Sequence, residues 1–540
     1  MATYGTNDIC IVGGGSSGWM VASTLIKYFP EKNITLIESP KIPNVGVGES
    51  TTSMMRTFIN SHLGIPDTEF MEEVDAIYKQ TVRFEDFKQI GDGGWHYPFG
   101  QPYFRFEGTR WETWSIKKHF FPETSLQDFA RTFVPQVTLA EQNKISENKL
   151  GQFDNFRFNQ DLGYHLNANK FWKFLKEKYA MPRGVKHISA EVLKVNVNDK
   201  GVESLELDNG QTFTADLYID CSGFKSILLG EAMKEEFVDI SYWLPNNKAW
   251  ATPTPYKEEY KYEQMRPYTN CTALKNGWAW HTPVWSRIGN GYSYSDKYIT
   301  DEEALEEFKE YLMSDKVPGH YTKEEVDNFP YFNVPYKAGY YKRNFVKNVF
   351  GIGLAAGFLE PLEGTGLLFV SSPILELCKH LKRERITQYS IDLLNHLMFY
   401  LFEGWKDFLT SFYHLSMRDD SKYWDEITSK SYFLGNFKYE KDWAGNWQNF
   451  YEAVGRDETT AILPDTAGFI YVSKGMEGSF DLDQTIIDRT MHIEETDFSA
   501  IKDVIKEGQD ADQQRWALAA ENELHVYDYL SKYIHKGDNK

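Results

Sequence analysis

The sequence predicts a mixed α/β (α+β) fold: a largely parallel sheet with crossover helices, covered by a helical cap from the C-terminal third. Three observations predict it. Near the N-terminus an apolar strand runs through a glycine-rich turn into a helix, in "DICIVGGGSSGWMVASTLIKYF". A second small-residue turn follows an apolar strand in "NVFGIGLAAGFLEPLEGTGL" at 348–367. From about residue 375 the apolar residues recur at helical spacing, in "SPILELCKHLKRERI", "SIDLLNHLMFYLFEGWKDFLTSFYHLS" and "DADQQRWALAAENELHVYDYLSKYI".

The first segment carries Gly13-x-Gly15-x-x-Gly18, and "ITLIES" adds a second strand that closes on Glu38. A GxGxxG alone is weak, but here it follows a strand, opens a helix at Ser16 and is answered by an acid at the end of the next strand. That context makes a dinucleotide fingerprint of a Rossmann-like module. Its glycines admit a pyrophosphate, the helix start offers free N–H groups, and Glu38 can accept from ribose hydroxyls. A glycine turn without a ligand is the competing reading. In "GVGEST" (46–51) the glycines permit close passage of a cofactor, so Val47, Gly48 and Glu49 are placed beside it, although Glu49 could equally cap the following helix. "KFWKFLKEKYAMPRGVKHISAEVLKVNVNDKGVESLELDNGQTFTADLYI" reads as a helix and then a meander of short strands, with Val192 assigned to the cofactor site and "DNG" as a hairpin turn. "TADLYIDCSGFKSILL" (214–229) is a strand entering a glycine turn. The late turn at 348–367, with Leu354 and Leu367, would close over a ribityl chain and flavin ring. This pairing of an early fingerprint with a late turn is typical of FAD monooxygenase-type folds and favours FAD over NAD. The expected organisation is an FAD-binding module from 1–95 and 160–375. An insertion at 96–159 and residues 376–540 form a mostly helical, substrate-covering module, in one compact unit without a linker.

The bulk numbers set outer limits. The 540 residues are 41% hydrophobic and 16% aromatic, enough for a large core and aromatic-lined cavities. A formal net charge of −20 argues against nucleic acid and anionic membrane surfaces. Cys10, Cys221, Cys271 and Cys378 are scattered without a CxxC pair, so no disulfide framework or metal site is expected. No secretory signal and no apolar run of ~18 residues is visible, which points to a cytoplasmic protein. No metal-ligand cluster stands out, nor any second dinucleotide module able to take NADH, so reduced flavin would have to come from a separate reductase. A homo-oligomer is left open.

Further motifs carry a resemblance. "GGGSSGW", "IPNVGVGESTT", the lysine of "AIYKQTVRF", "YHLNANKF", "DLYIDCSGF", "NGWAWHTP", "GNGYSYS", "GLAAGFLEPLEGTG" and "YHLSMRDDSKYW" resemble the flavin-dependent halogenases of the tryptophan halogenase family over about residues 7–425. The family pattern GWxWxIP reads Gly277-Trp278-Ala279-Trp280-His281-Thr282-Pro283, with Thr282 in place of isoleucine. The resemblance implies an enzyme that takes FADH2, O2 and a halide, whether chloride, bromide or iodide. A flavin hydroperoxide would oxidise the halide to hypohalous acid, and this would cross a tunnel to a small aromatic substrate. By the same resemblance Lys79 is the delivering lysine and Glu363 its carboxylate partner, with Glu360 the rival. Thr365 and Gly366 match the halide site.

The chemistry suits these residue types. Hypohalous acid is indiscriminate, so one donor must hold and polarise it beside the acceptor carbon, and a carboxylate can take the proton released as the ring regains aromaticity. A solvated lysine and a carboxylate near a helix N-terminus are the ordinary alternatives. Trp278 and Trp280 alternate as on a strand and could face one side, as core aromatics or as packing against the flavin. The substrate end departs from the family. Tyr97-Pro98-Phe99 stands where His-Pro-Phe is common, with His96 one position early, and Gly364 stands where a serine usually follows the catalytic glutamate. Trp443 and Trp447, at i and i+4, could stack on an aromatic ring or pack in a core. These departures favour an indole- or phenol-type arene over free tryptophan. An FAD-dependent aromatic hydroxylase and a non-catalytic flavin-binding protein are the competing functions.

Overall fold

The computed structural model describes residues 3–41, 49–106, 111–383, 385–430, 432–434, 437–439, 466–476 and 495–536. It divides into two compact units. The first comprises Met1–Ala76, Tyr164–Ala249 and Asn333–Lys406; the second comprises Ile77–Gly163, Trp250–Phe332 and Asp407–Lys540.

The first unit is built on a sheet whose strands lie in the order Lys186–Ser189, Asn33–Glu38, Asp8–Val12, Leu217–Asp220, Val349–Gly351, Phe345–Val346. All but the last pairing are parallel, with Ile11 aligned to Leu36 on one side and Ile219 on the other. The central strands are continuous apolar runs because both faces are covered, as parallel sheets require. The helix Ser16–Tyr28 buries Trp19, Met20, Val21, Leu25 and Ile26 against one side. Cys10, Val12, Ile37, Leu205, Tyr218 and Leu229 share a core under the antiparallel meander. Asp208-Asn209-Gly210 makes the hairpin turn that "DNG" announced, with Gly210 at φ +82°. From Asp8–Val12 the chain first adds a strand on one side and later, with Leu217–Asp220, on the other. Order therefore reverses at Asp8–Val12, and the carboxyl end of that strand is where such sheets bind ligands.

The second unit holds a sheet with neighbouring strands Ile288–Tyr294, Gly277–Pro283, Tyr268–Leu274, Thr81–Glu85 and Gly94–Pro98. Residues 77–95 and 250–332, grouped by sequence texture with the nucleotide module, fall in this unit. The physical reason is the ladder itself: Thr81–Glu85 pairs in parallel with Tyr268–Leu274, joining two chain segments far apart in sequence. Helix Glu495–Glu521 is fastened by Lys117–Asp510 at 2.6 Å, Arg105–Asp512 at 3.2 Å and Trp516 Nε1 donating to Asp154 at 2.8 Å. Trp285 stacks with Tyr527 and with His535, ring centroids 5.4 and 4.2 Å away. The helices expected late in the chain are present as Leu368–Leu381, Gln388–His414, Glu495–Glu521 and Val526–Tyr533. Among the described residues no helix is long and apolar enough to cross a membrane.

Candidate active site

Three turns meet at the carboxyl ends of the parallel strands in the first unit. Gly13 has φ +115°, and a Cβ there would stand 2.2 Å from the Cys221 carbonyl oxygen. A Cβ on Gly18 would stand 1.8 Å from the Gly13 carbonyl oxygen, and one on Gly353 would reach the Ser17 hydroxyl at 2.4 Å. Ser226 Oγ donates to the Ala355 carbonyl at 2.8 Å, tying the second turn to the third. Asp220 anchors the second turn, accepting from Ser222 N–H at 3.0 Å, Ser222 Oγ at 2.6 Å, and the N–H groups of Leu228 and Leu229 at 2.8 Å each. Burial pushes the Asp220 carboxyl above the usual range, and these donors oppose the rise. Sequence reasoning missed Asp220 and Ser226. An acid closing an apolar strand before a glycine turn was a signal for the first. Nothing in the sequence marks Ser226, a serine held at φ +46°.

The residues at this edge fit a flavin dinucleotide. Helix Ser16–Tyr28 has no side-chain cap and no acid in its first turn, so its leading N–H groups are available to a pyrophosphate. Gly15 is its extended N-cap residue and Ser16 its first turn. Glu38 closes its strand with Oε1 held by Lys176 at 2.5 Å and His187 at 2.7 Å, and with Oε2 lying over Gly14. Leu354 is 37% exposed on the third turn, an apolar side chain that a flavin would cover. Leu367 is buried, and Val192 packs on the core beneath the meander. Glu49 lies in a short strand paired with Leu166, its side chain outside the described residues, as are Val47 and Gly48 altogether.

The loop leading into helix Leu368–Leu381 gathers the predicted acid and halide residues. Glu360 and Glu363 are each 1% exposed. Gly364 sits at φ +66°, where a Cβ would be 2.5 Å from the Ser50 carbonyl oxygen. That backbone explains why glycine occupies the usual serine position. Thr365 O accepts from Leu368 N–H at 2.9 Å, so the turn winds directly into the helix. Among the described residues no acceptor takes the N–H groups of Thr365, Gly366 or Leu367, and nothing lies within 4 Å of the Cβ position at Gly366.

In the second unit Lys79 ends the strand Ile77–Lys79 and is fully buried. Its Nζ stands 4.8 Å from the centroid of the Phe99 ring. Phe99 is fixed by its own N–H, which donates to the Gln80 carbonyl at 3.3 Å, and by Pro98 paired with Thr81. Tyr97 continues the aromatic wall, with Phe99 at 6.4 Å, Phe408 at 5.8 Å and Tyr471 at 6.0 Å. His96 does not replace the family histidine at 97. Strand alternation turns it to the other face, where Nδ1 meets Thr81 Oγ1 at 2.8 Å. Burial, then Arg83, Arg131 and Arg266, hold its pKa well below the ordinary imidazole value. Trp278 and Trp280 do share a face, their centroids 5.8 Å apart; Trp278 is buried, and Trp280 lies over Gly291. His281, the residue after Trp280, turns the other way to Asn290 Oδ1 at 2.8 Å, and Asn290 in turn bonds Thr254. Trp443 and Trp447 lie outside the described residues.

A parallel sheet whose order reverses, with glycine turns converging at its carboxyl edge, defines the dinucleotide-binding class of fold. Comparisons place it further. The tryptophan halogenase family matches residues 8–435. The tryptophan 7-halogenase RebH of Lentzea aerocolonigenes is 31% identical over 434 residues, spanning 77% of this chain and 78% of that one. The tryptophan 6-halogenase ThaL of Streptomyces albogriseolus is 30% identical over 431 residues, 77% of this chain and 78% of that one. The solved apo structure of VirX1 is 32% identical and superposes with a TM-score of 0.86, covering 98% of this chain and all of that one, at 100%. The chain belongs to the tryptophan halogenase family. It is a flavin-dependent halogenase, an enzyme that uses FADH2, O2 and halide to halogenate an aromatic substrate.

Proposed function

We propose that Lys79 delivers the electrophilic halogen, that Glu363 accepts the proton lost from the arene, and that the backbone at Thr365 and Gly366 holds the halide. Bound FADH2 and O2 supply the oxidant that turns halide into hypohalous acid. The observation that carries the reading is the position of Lys79: a fully buried amine set against an aromatic wall of Phe99 and Tyr97. A lysine kept only for solubility has no reason to be there. The free N–H groups of the turn opening Leu368–Leu381 give an anion desolvated donors, and the helix start adds favourable potential. Glu363 is buried one residue from that turn, where a carboxylate can act as a general base.

The substrate in this reading is an electron-rich arene of the indole or phenol type rather than free tryptophan. Tyr97 puts a phenol ring where an imidazole is usual and packs it on Phe408 and Tyr471, so this wall is lined differently from the family pattern. A separate reductase supplies FADH2, and the enzyme works in the cytoplasm. The nucleotide role belongs to the first unit, and delivery by Lys79 belongs to the second. The test is Lys79→Met in a coupled assay with a flavin reductase, bromide and a panel of indoles and phenols. Product carrying the bromine isotope doublet is expected from the wild type and falls by ~100- to 1,000-fold in the variant, on the scale of removing a preorganised transition-state donor. FAD affinity and peroxide release stay unchanged. Brominated product from the variant at the wild-type rate removes Lys79 from the mechanism, and a product gaining only one oxygen makes the enzyme a hydroxylase.

A further inference from the structure

Glu38, the acid that closes the second strand of the nucleotide fold, is held on one side only. Its Oε1 accepts from Lys176 Nζ at 2.5 Å and lies 2.7 Å from His187 Nε2. Among the described residues no hydrogen bond or ion pair ends on Oε2, which lies over the glycine turn, 1.6 Å from where a Cβ on Gly14 would stand. Lys176 arrives on Leu175–Ala180, the continuation of helix Ala168–Phe174, and His187 on strand Lys186–Ser189, parallel to the strand of Glu38. The Lys176 amine also stands 5.4 Å from the Trp19 ring centroid and 5.8 Å from that of Trp172, and Trp19 is fully buried one residue past Gly18. The side chains of Lys176 and Glu38 are 18% and 14% exposed, so solvent screens this pair less than a surface ion pair. All of these groups belong to the first unit.

The difficulty at this edge is charge. The uncapped helix start suits a pyrophosphate, which is an anion, yet the ribose acceptor lying over the same turn is a carboxylate. An unpaired Glu38 would repel the pyrophosphate and would have to be ordered when the ligand binds. Lys176 offsets that charge and fixes the side chain beforehand, occupying Oε1 and leaving Oε2 as the acceptor. We infer that Lys176, with His187 beside it, is a positioning residue for FAD: acting through Glu38, it makes the site selective for the adenosine diphosphate half of the dinucleotide. The inference rests on the flavin site alone and is independent of the role of Lys79.

The experiment titrates the full-length enzyme with FAD by fluorescence and uses ADP and FMN as competitors that report on the two ends of the cofactor. Lys176→Met is expected to weaken FAD and ADP about tenfold each, on the scale of one hydrogen bond to a charged group, and FMN by less than about twofold. Lys176→Arg, which keeps the charge, stays within about threefold of wild type. In a Glu38→Gln background Lys176→Met is expected to change FAD affinity by less than about twofold, because no carboxylate remains to be held. Unchanged FAD affinity in Lys176→Met overturns the inference. So does an equal loss for FAD and FMN, which marks a merely structural role. A tenfold loss that persists in the Glu38→Gln background also overturns it, because Lys176 would then act on the cofactor directly. Should Lys176→Met fail to fold, Lys176→Gln, a neutral polar side chain, gives the same readings.

Discussion

Restoring the family serine at position 364 should harm the enzyme. Gly364 lies at φ +66°, and its Cβ position is 2.5 Å from the Ser50 carbonyl oxygen and 2.8 Å from the Ser50 hydroxyl. Left-handed backbone costs a non-glycine residue ~1–2 kcal/mol. A contact that should be about 3.4 Å or longer overlaps by nearly 1 Å against main chain, which overpacking data price at ~1–3 kcal/mol. Gly364→Ser therefore carries roughly 2–5 kcal/mol of strain, the sum of those two ranges. The strain falls between the buried Glu363 and the Thr365 and Gly366 donors. If only about 2 kcal/mol of it appears as misplacement of those groups, kcat falls ~30-fold. The assay is steady-state bromination with reductase and saturating arene, run beside chemical unfolding and FAD titration. Gly364→Ala separates the Cβ from the hydroxyl and should share most of the loss, while FAD affinity stays near wild type. A Gly364→Ser enzyme with wild-type kcat and an unshifted unfolding midpoint would refute the argument.

Two other outcomes follow from the same kind of geometry. Gly18→Ala places a Cβ 1.8 Å from the Gly13 carbonyl oxygen, so helix Ser16–Tyr28 must back away from the turn; FAD affinity, read by fluorescence titration, should fall ~5- to 150-fold at an overpacking cost of ~1–3 kcal/mol. His281 is held at a pKa of about 3, first by burial and then by Arg266, with partial relief from Asn290 and Gln264. A folded pKa below the ordinary value of ~6.5 means its contribution is complete above pH ~6.5 and is lost as pH falls toward 3, roughly 2 kcal/mol by pH 5. His281→Gln should flatten the loss of unfolding midpoint between pH 7.5 and 5, leaving a residual slope because buried His96 titrates in the same direction. An unchanged slope in the variant counts against that account.

The local physics of the chain wrote the nucleotide end into the sequence. Gly13, Gly15 and Gly18 after an apolar strand, an acid at the end of the next strand, and all-apolar central strands each state a requirement that neighbouring residues alone can impose. Helical periodicity did the same for Leu368–Leu381, Gln388–His414 and Glu495–Glu521. Lys79 stood out as a candidate only by resemblance, since a lysine in "AIYKQTVRF" looks solvated until burial is known. The parallel pairing of Thr81–Glu85 with Tyr268–Leu274 was invisible, because hydrogen bonds between distant strands leave no local signature, and it carried residues 77–95 and 250–332 into the second unit. So too was the left-handed backbone at Gly364, which turned an apparent departure from the family into a steric requirement. Spacing along the chain fixes which atoms can be neighbours within a turn of helix or strand. Which distant groups share a buried volume, as the Lys79 amine and the Phe99 ring do, is settled only when long-range packing closes around them.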